Sequence, residues 1–182
     1  RRTAGLQNRR RLENTENPRG WYNLGRAYGD YDRHEEAFPC FLNAVGFGGP
    51  RFYDYDAALA DCCRSLGRIE QATFYFKRAI KTNPDYSDAH NNLAALYLSQ
   101  KDEEKAFRHF SIAAEQEHAG AMYNLARIHL RRNESDLAIS WLENSLATAT
   151  DAGQLDIVPK IQQKLQSVRS GKDSQQPAEQ MP

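Results

Sequence analysis

Residues 21–41 read WYNLGRAYGDYDRHEEAFPCF and combine two apolar patterns, separated by a largely polar stretch. The patterns are W-x2-L-G-x2-Y and A-x3-F, formed by Trp21, Leu24, Gly25, Tyr28, Ala37 and Phe41. At the pitch of an α-helix, the members of each pattern lie within about a third of a turn of one another. The stretch therefore predicts two helices whose apolar stripes face each other.

Small residues interrupt both stripes at positions where a large side chain would keep the helices apart. Gly25 on the first helix and Ala37 on the second allow close approach, so that Trp21 and Phe41 can pack beside them. One such pair leaves apolar surface uncovered, and further pairs are needed to bury it.

The same pattern recurs three more times along the chain. Ala37, Ala72, Ala106 and Ala138 follow one another at intervals of 35, 34 and 32 residues. The small position of the first helix is filled in turn by Gly25, Ala60, Ala94 and Ala126. A period near 34 residues, with two helices in each period, predicts a stack of helix pairs.

With this period and signature, residues 18–150 resemble the tetratricopeptide repeat (TPR) family. The resemblance implies an all-α, right-handed α-solenoid of about four helix-turn-helix repeats, at about 18–52, 53–86, 87–118 and 119–150. The last repeat is also similar to Sel-like repeats. The chain departs from the family pattern at several positions, and among them Asp56 and His90 stand where the pattern has tryptophan. We expect His90, and His129 at another core aromatic position, to be packed imidazoles.

Turn-forming and polar residues divide the repeat region into eight predicted helices. Their expected bounds are 20–30, 35–46, 54–66, 69–82, 87–99, 103–116, 119–131 and 135–149. A capping helix is predicted within 151–169, because Leu155, Val158, Ile161, Leu165 and Val168 recur at helical intervals. Residues 1–17 are predicted to be a basic arm and residues 170–182 a disordered tail.

Composition excludes several functional classes for the printed chain. It has 182 residues and a formal net charge of +0, which disfavours nucleic acid as a partner because there is no overall positive field. No apolar run approaches the ~18 residues of a membrane span. Because the first residue is Arg1, a membrane anchor before it is kept as an alternative. Three cysteines favour a reducing, cytoplasmic compartment, with periplasmic or membrane-anchored locations as alternatives.

No catalytic, metal or cofactor motif is evident. The nucleophile elbow, the phosphate-binding loop and the H-E-x-x-H metal helix are all missing from the sequence. Glu115, Glu117 and His118 could form a loose metal cluster, but such residues are ordinary at a helix end. We therefore predict a non-enzymatic protein without a cofactor.

A second stripe on the first helix of each repeat is the candidate binding surface. In TPR proteins this stripe lines the concave side and receives an extended peptide or a partner helix. Mapped through the resemblance, the stripe consists of Arg19, Tyr22, Asn23, Arg26, Asp54, Asp61, Arg64, Asp88, Asn91, Asn92, Tyr123, Asn124, Arg127 and Arg131.

Asn23, Asn92 and Asn124 share one repeat position in this stripe. Asparagine both donates and accepts hydrogen bonds, so a ladder of asparagines can satisfy the backbone of a bound chain. The alternative interpretation is an ordinary solvated helix face. Arginines at repeats one and four, with aspartates between them, favour a ligand of mixed charge.

The sequence thus predicts a protein-binding adaptor or scaffold whose partner is another protein or peptide. The alternatives are a structural or self-assembling repeat protein, and the soluble part of a membrane-anchored assembly factor. Phe47, if exposed beside the glycine-rich turn, would be a second docking point.

Overall fold

The computed structural model describes residues 17–47 and 52–171, and within these ranges it contains nine α-helices and no β-strand. In chain order the helices are α1 Pro18–Gly29, α2 His34–Phe47, α3 Phe52–Ser65, α4 Ile69–Thr82, α5 Ser87–Ser99, α6 Glu103–Glu115, α7 Ala119–Arg131, α8 Ser135–Asp151 and α9 Val158–Arg169. The predicted all-α helical repeat fold is confirmed. The predicted basic arm, apart from its last residue, and nearly all of the predicted tail lie outside the described residues.

Local signals explain where several helices begin. The side chain of Asn17 accepts a hydrogen bond from the Gly20 amide at 3.1 Å, and Pro18 occupies the first turn of α1. Asp102 caps α6 in the same way, accepting from the Lys105 amide at 3.1 Å. These caps satisfy amide groups that have no partner within the helix.

The turn inside each helix pair has one residue with left-handed backbone. Asp32, Gly67, Lys101 and Asn133 have φ values of 56°, 71°, 64° and 60°. Each stands five residues before the recurring alanine of the second helix. The repeated backbone geometry therefore reaches into the turns, and only one repeat supplies the glycine that adopts it without strain.

The chain divides into two compact units, which are unit 1 at residues 1–84 and unit 2 at residues 85–182. In unit 1, α1 packs on α2 and α3 on α4, and α3 also contacts both α1 and α2. In unit 2, α5 packs on α6 and α7 on α8, while α6 contacts α7 and α9 contacts α8.

The predicted close contact within the first helix pair is present. A Cβ atom placed on Gly25 would lie 2.7 Å from Cε1 and 2.8 Å from Cδ1 of Phe41. In the other three pairs, Ala60, Ala94 and Ala126 on the first helices have no exposed surface. The second-helix alanines are equally buried. Each pair therefore has small, fully buried residues where its two helices approach each other.

A buried ion pair joins α3 to α4 at the position where the family pattern has tryptophan. Asp56 is 0% exposed, and its Oδ2 accepts from Arg78 Nε at 2.8 Å, with a second bond from Arg78 Nη2 to Oδ1. The guanidinium lies 5.1 Å from the ring centroid of Phe52 and 4.9 Å from that of Tyr75. Burial raises the pKa of Asp56, and the hydrogen bonds from Arg78 oppose that rise.

Helix α9 covers the end of unit 2. Ile161, Leu165 and Val168 are buried in one cluster with Ala138 and Leu142 of α8. Leu155, which the pattern placed on the same stripe, precedes the helix and is 68% exposed. The helix begins only at Val158, because Pro159 in its first turn has no N–H to donate to the Leu155 carbonyl and so cannot continue a helix that starts earlier.

Replacing Gly25 with alanine tests the central contact of the first pair. Because the added methyl group overlaps a buried ring, we expect the free energy of unfolding to fall by about 1–3 kcal/mol in urea denaturation. Gly29→Ala is the matched change, since a Cβ there meets nothing within 4 Å. It should leave stability unchanged or raise it by up to about 1 kcal/mol. Equal effects of the two substitutions would contradict the contact.

The ion pair makes an asymmetric prediction. Arg78→Met strands a carboxylate that is 0% exposed, so we expect a loss of about 3–5 kcal/mol in the free energy of unfolding. The double variant Asp56→Leu/Arg78→Met removes both charges and should recover most of that loss. A double-mutant cycle measured by urea denaturation gives the coupling. A loss below about 1 kcal/mol for Arg78→Met would show that Asp56 does not depend on its partner.

Candidate interaction surface

Three asparagines and an arginine connect α5 to α7 within unit 2. Asn124 Nδ2 donates to Asn91 Oδ1 at 3.3 Å, and Asn91 Nδ2 donates to Asn92 Oδ1 at 3.2 Å. Arg127 Nη1 donates to Asn124 Oδ1 at 3.3 Å. All four side chains are half-buried. We call these four residues the asparagine network.

The register of this network differs from the simple ladder expected from the sequence. Asn92 and Asn124 share a repeat position, yet the bond between helices runs from Asn124 to Asn91, the residue before Asn92. The side chain of Asn91 therefore bridges the other two amides. Contact between neighbouring helices depends on how each helix is rotated, which sequence spacing alone does not give.

The network retains unused hydrogen-bonding capacity at its centre. An asparagine amide has two N–H donors and an oxygen with two lone pairs. Asn91 and Asn124 each make one donated and one accepted bond within the network. One donor and one lone pair of each amide are left for water or a ligand, which is the pattern that matches a peptide backbone.

Asp88 adds a negative charge beside the first turn of α5. Its Oδ1 lies 3.1 Å from His118 Nε2, while His118 Nδ1 accepts from the Ala121 amide at 3.0 Å. Because Nδ1 is the acceptor, Nε2 carries the proton and donates to Asp88. This bond lowers the pKa of Asp88. The carboxylate is therefore ionised at neutral pH, and its side chain is 67% exposed.

Tyr123 lies on α7, on the side of the asparagine network that is next to α9. It is half-buried and packs against the cluster that contains Ala126 and Ile161. The ammonium group of Lys160, on the first turn of α9, lies 5.0 Å from the centroid of its ring. Lys160 is not among the residues predicted from the sequence, because α9 lies outside the repeats from which the other residues were mapped.

Arg131 is directed elsewhere. Its Nη1 lies 3.8 Å from Glu103 on α6, and the neighbouring Arg132 lies 2.9 Å from the same carboxylate. The position of Arg131 at the last turn of α7 brings it to the start of α6.

In unit 1, the predicted residues of α1 divide into one packed side chain and three exposed ones. The ring centroid of Tyr22 is 5.1 Å from that of Tyr55 and 6.0 Å from that of Phe41. Tyr22 therefore contributes to packing among the first three helices. The other three residues, Arg19, Asn23 and Arg26, are exposed. The guanidinium of Arg26 lies 6.0 Å from the ring centroid of Tyr22.

The predicted residues of α3 form a charged edge. Arg64 Nη2 lies 3.0 Å from Asp61 Oδ1, one helical turn away, so the two charges largely offset each other. Asp54 is half-buried near the start of the helix.

A cleft of about 470 Å³ lies between α1 and α2. Its apolar lining includes Trp21, Leu24 and Phe47, and Phe47 is 49% exposed, as the second docking hypothesis requires. The carboxylate of Glu36, which also lines the cleft, is paired with Arg33 at 2.6 Å.

The cysteines are poorly suited to nucleophilic chemistry. Cys40, Cys62 and Cys63 are buried free thiols. Burial, together with the neighbouring Cys63, raises the pKa of Cys62 to about 11, so the reactive thiolate is scarce at neutral pH. Within residues 17–47 and 52–171, no three or more His, Cys, Asp or Glu residues are grouped as metal ligands.

The two core imidazoles are buried, as expected. His90 is 4% and His129 is 8% exposed. His90 Nδ1 lies 2.9 Å from His109 Nδ1, so a proton on one ring donates to the other.

In the described ranges, no helix has the length and apolar character needed to cross a membrane.

Solved structures share the fold at low sequence identity. A crystal structure of MamA is 18% identical, covers 83% of this chain and 90% of its own, and superposes with a TM-score of 0.71. YrrB, described as a TPR protein with an unusual peptide-binding site, is 21% identical over 82% of this chain and 78% of its own, with a TM-score of 0.63. PilF of Pseudomonas aeruginosa is 19% identical over 86% and 69%, with a TM-score of 0.73. At these identities, the similarity concerns the fold.

Family sequence profiles identify the repeats directly. Three profiles described as tetratricopeptide repeat match residues 18–47 and 57–86, residues 75–108, and residues 121–156. Among curated proteins, no sequence matches the chain at a significant level. The matched segments together span more than half of the sequence and cover all or part of each of the eight repeat helices. The chain therefore belongs to the tetratricopeptide repeat family.

Proposed function

We propose that this protein is a non-catalytic interaction module that binds an extended segment of a partner protein along α5 and α7 of unit 2. TPR repeats are typically non-catalytic, and their presence supports a general role in protein interaction. The binding position is the further step, and the asparagine network is the observation that carries it.

The network suits a ligand that is recognised through its backbone. An extended chain presents alternating N–H and C=O groups, and the amides of Asn91 and Asn124 have one donor and one acceptor each to offer them. The contact from Asn124 to Asn91 holds the two amides in a fixed relation, so less side-chain entropy is lost on binding.

The charges along this face suit a segment of mixed charge. Asp88 is an ionised carboxylate at one position, while Arg127 places a guanidinium beside Asn124. Charge pairs of this kind orient a ligand and select against the reversed one more than they add affinity. The solved YrrB structure, described as having a peptide-binding site, supports the proposal by analogy of fold.

A peptide-display selection on the immobilised protein provides ligands with which to test the network. We expect peptides selected on the wild type to bind Asn91→Ala/Asn124→Ala at least about tenfold more weakly, because two hydrogen-bonding groups worth about 1 kcal/mol each are removed. Fluorescence anisotropy gives the dissociation constants, and circular dichroism checks that the variant is folded.

The matched control is Asn144→Ala/Gln162→Ala, which removes two exposed amides from α8 and α9. Binding to this control should equal that of the wild type. If the folded Asn91→Ala/Asn124→Ala variant also binds like the wild type, the network is not the binding surface.

A further inference from the structure

We infer that the bound segment places an acidic side chain against Lys160, beside Tyr123, where the terminal helix α9 extends the face formed by α5 and α7. The inference rests on the proposed function and specifies the chemistry of its ligand. It also assigns a binding role to Lys160, a residue outside the four repeats.

The position of Lys160 is set by the ring beneath it. Its ammonium group lies 5.0 Å from the ring centroid of Tyr123, within the range of a cation–π contact. The ring is half-buried against a cluster that includes Ile161 of α9 and Ala126 of α7. Because packing fixes the ring, the lysine that rests on it is held on the side of α9 next to α7. Lys160 itself is exposed and accessible to a ligand.

Arg127 provides a second cation on the same face. It follows Tyr123 by four residues on α7, which places the two side chains next to each other on the helix surface. One contact that orients its guanidinium is made to the neutral amide oxygen of Asn124 at 3.3 Å. The ammonium of Lys160 and the guanidinium of Arg127 thus form a set of two cationic donors next to Tyr123. This set matches a carboxylate, which accepts several charge-assisted hydrogen bonds.

Asp88 fixes the direction of the segment. The carboxylate lies on α5, while Lys160 on α9 reaches towards α7. Side chains of α5 and α7 meet at the asparagine network and those of α7 and α9 meet at Tyr123, so each step is about one helix diameter, and the two charges are separated by about 10–20 Å. An extended chain advances about 3.3 Å per residue. The segment therefore carries a basic residue near Asp88 and an acidic residue about three to six positions away, near Lys160.

Selection from a random-peptide library on the wild-type protein tests this charge pattern. We expect the selected peptides to be enriched in Asp or Glu at three to six positions from a Lys or Arg. Binding of these peptides to Lys160→Gln should weaken about fivefold, because a partly solvated charge pair is lost. Lys160→Arg keeps the charge and should retain most of the affinity.

The matched control is Lys81→Gln, which removes an exposed lysine from α4 in unit 1 and should leave the affinity unchanged. Raising NaCl from about 0.05 M to about 0.5 M should weaken binding to the wild type more than binding to Lys160→Gln, because salt screens the charge pair.

The outcomes separate this inference from the proposed function. Peptides without acidic enrichment, or equal binding to wild type and Lys160→Gln, would overturn the role of Lys160. If those same peptides still depend on Asn91 and Asn124, the proposed function stands. A selection that yields no binder, or binders indifferent to Asn91 and Asn124, would overturn the proposed function itself.

Discussion

Close contact between the two helices at a small buried residue determines how each helix pair packs. In the first pair, the Phe41 ring occupies the space where a side chain on Gly25 would be. In the later pairs, Ala60, Ala94 and Ala126 have no exposed surface. The contact brings the helices close together and fixes the rotation of each about its axis. The rotation of each helix in turn determines which side chains face outward.

The candidate surface in unit 2 follows from that constraint. Asn91 and Asn124 lie 33 residues apart, close to one repeat period, and their amides meet at 3.3 Å. Repetition of the pair thus repeats its exposed face at a nearly constant spacing, and polar residues at the same or adjacent repeat positions become neighbours in space. Helix α9 continues this surface by a different route, because packing on α8 brings Lys160 to Tyr123.

Periodicity predicted the eight repeat helices to within two residues at each end, since apolar spacing and turn residues are local signals. It also selected Asn92, Asn124 and Arg127 by repeat position. Contacts across helices depend on rotation and side-chain length, so the bridging role of Asn91 and the turn of Arg131 towards Glu103 were not foreseen. Tyr22 was assigned to the binding stripe although its ring packs against other aromatic rings, because exposure of a helix edge depends on the neighbouring helix.

The position of Lys160 and the ion pair of Asp56 were not predicted from the sequence. Lys160 lies beyond the repeats, so no repeat position identifies it. Asp56 is visible in the sequence only as a departure from the family pattern. A carboxylate in a core position requires a cation, and Arg78 on the facing helix α4 would have been the residue to look for.

Side-chain amide resonances in the NMR spectrum of the ¹⁵N-labelled protein test most directly whether the face formed by α5 and α7 binds the partner segment. On saturation with a selected peptide, the Nδ2 protons of Asn91 and Asn124 should shift, while those of Asn144 on α8 should not. Shifts at Asn144 with Asn91 and Asn124 unmoved would contradict the account.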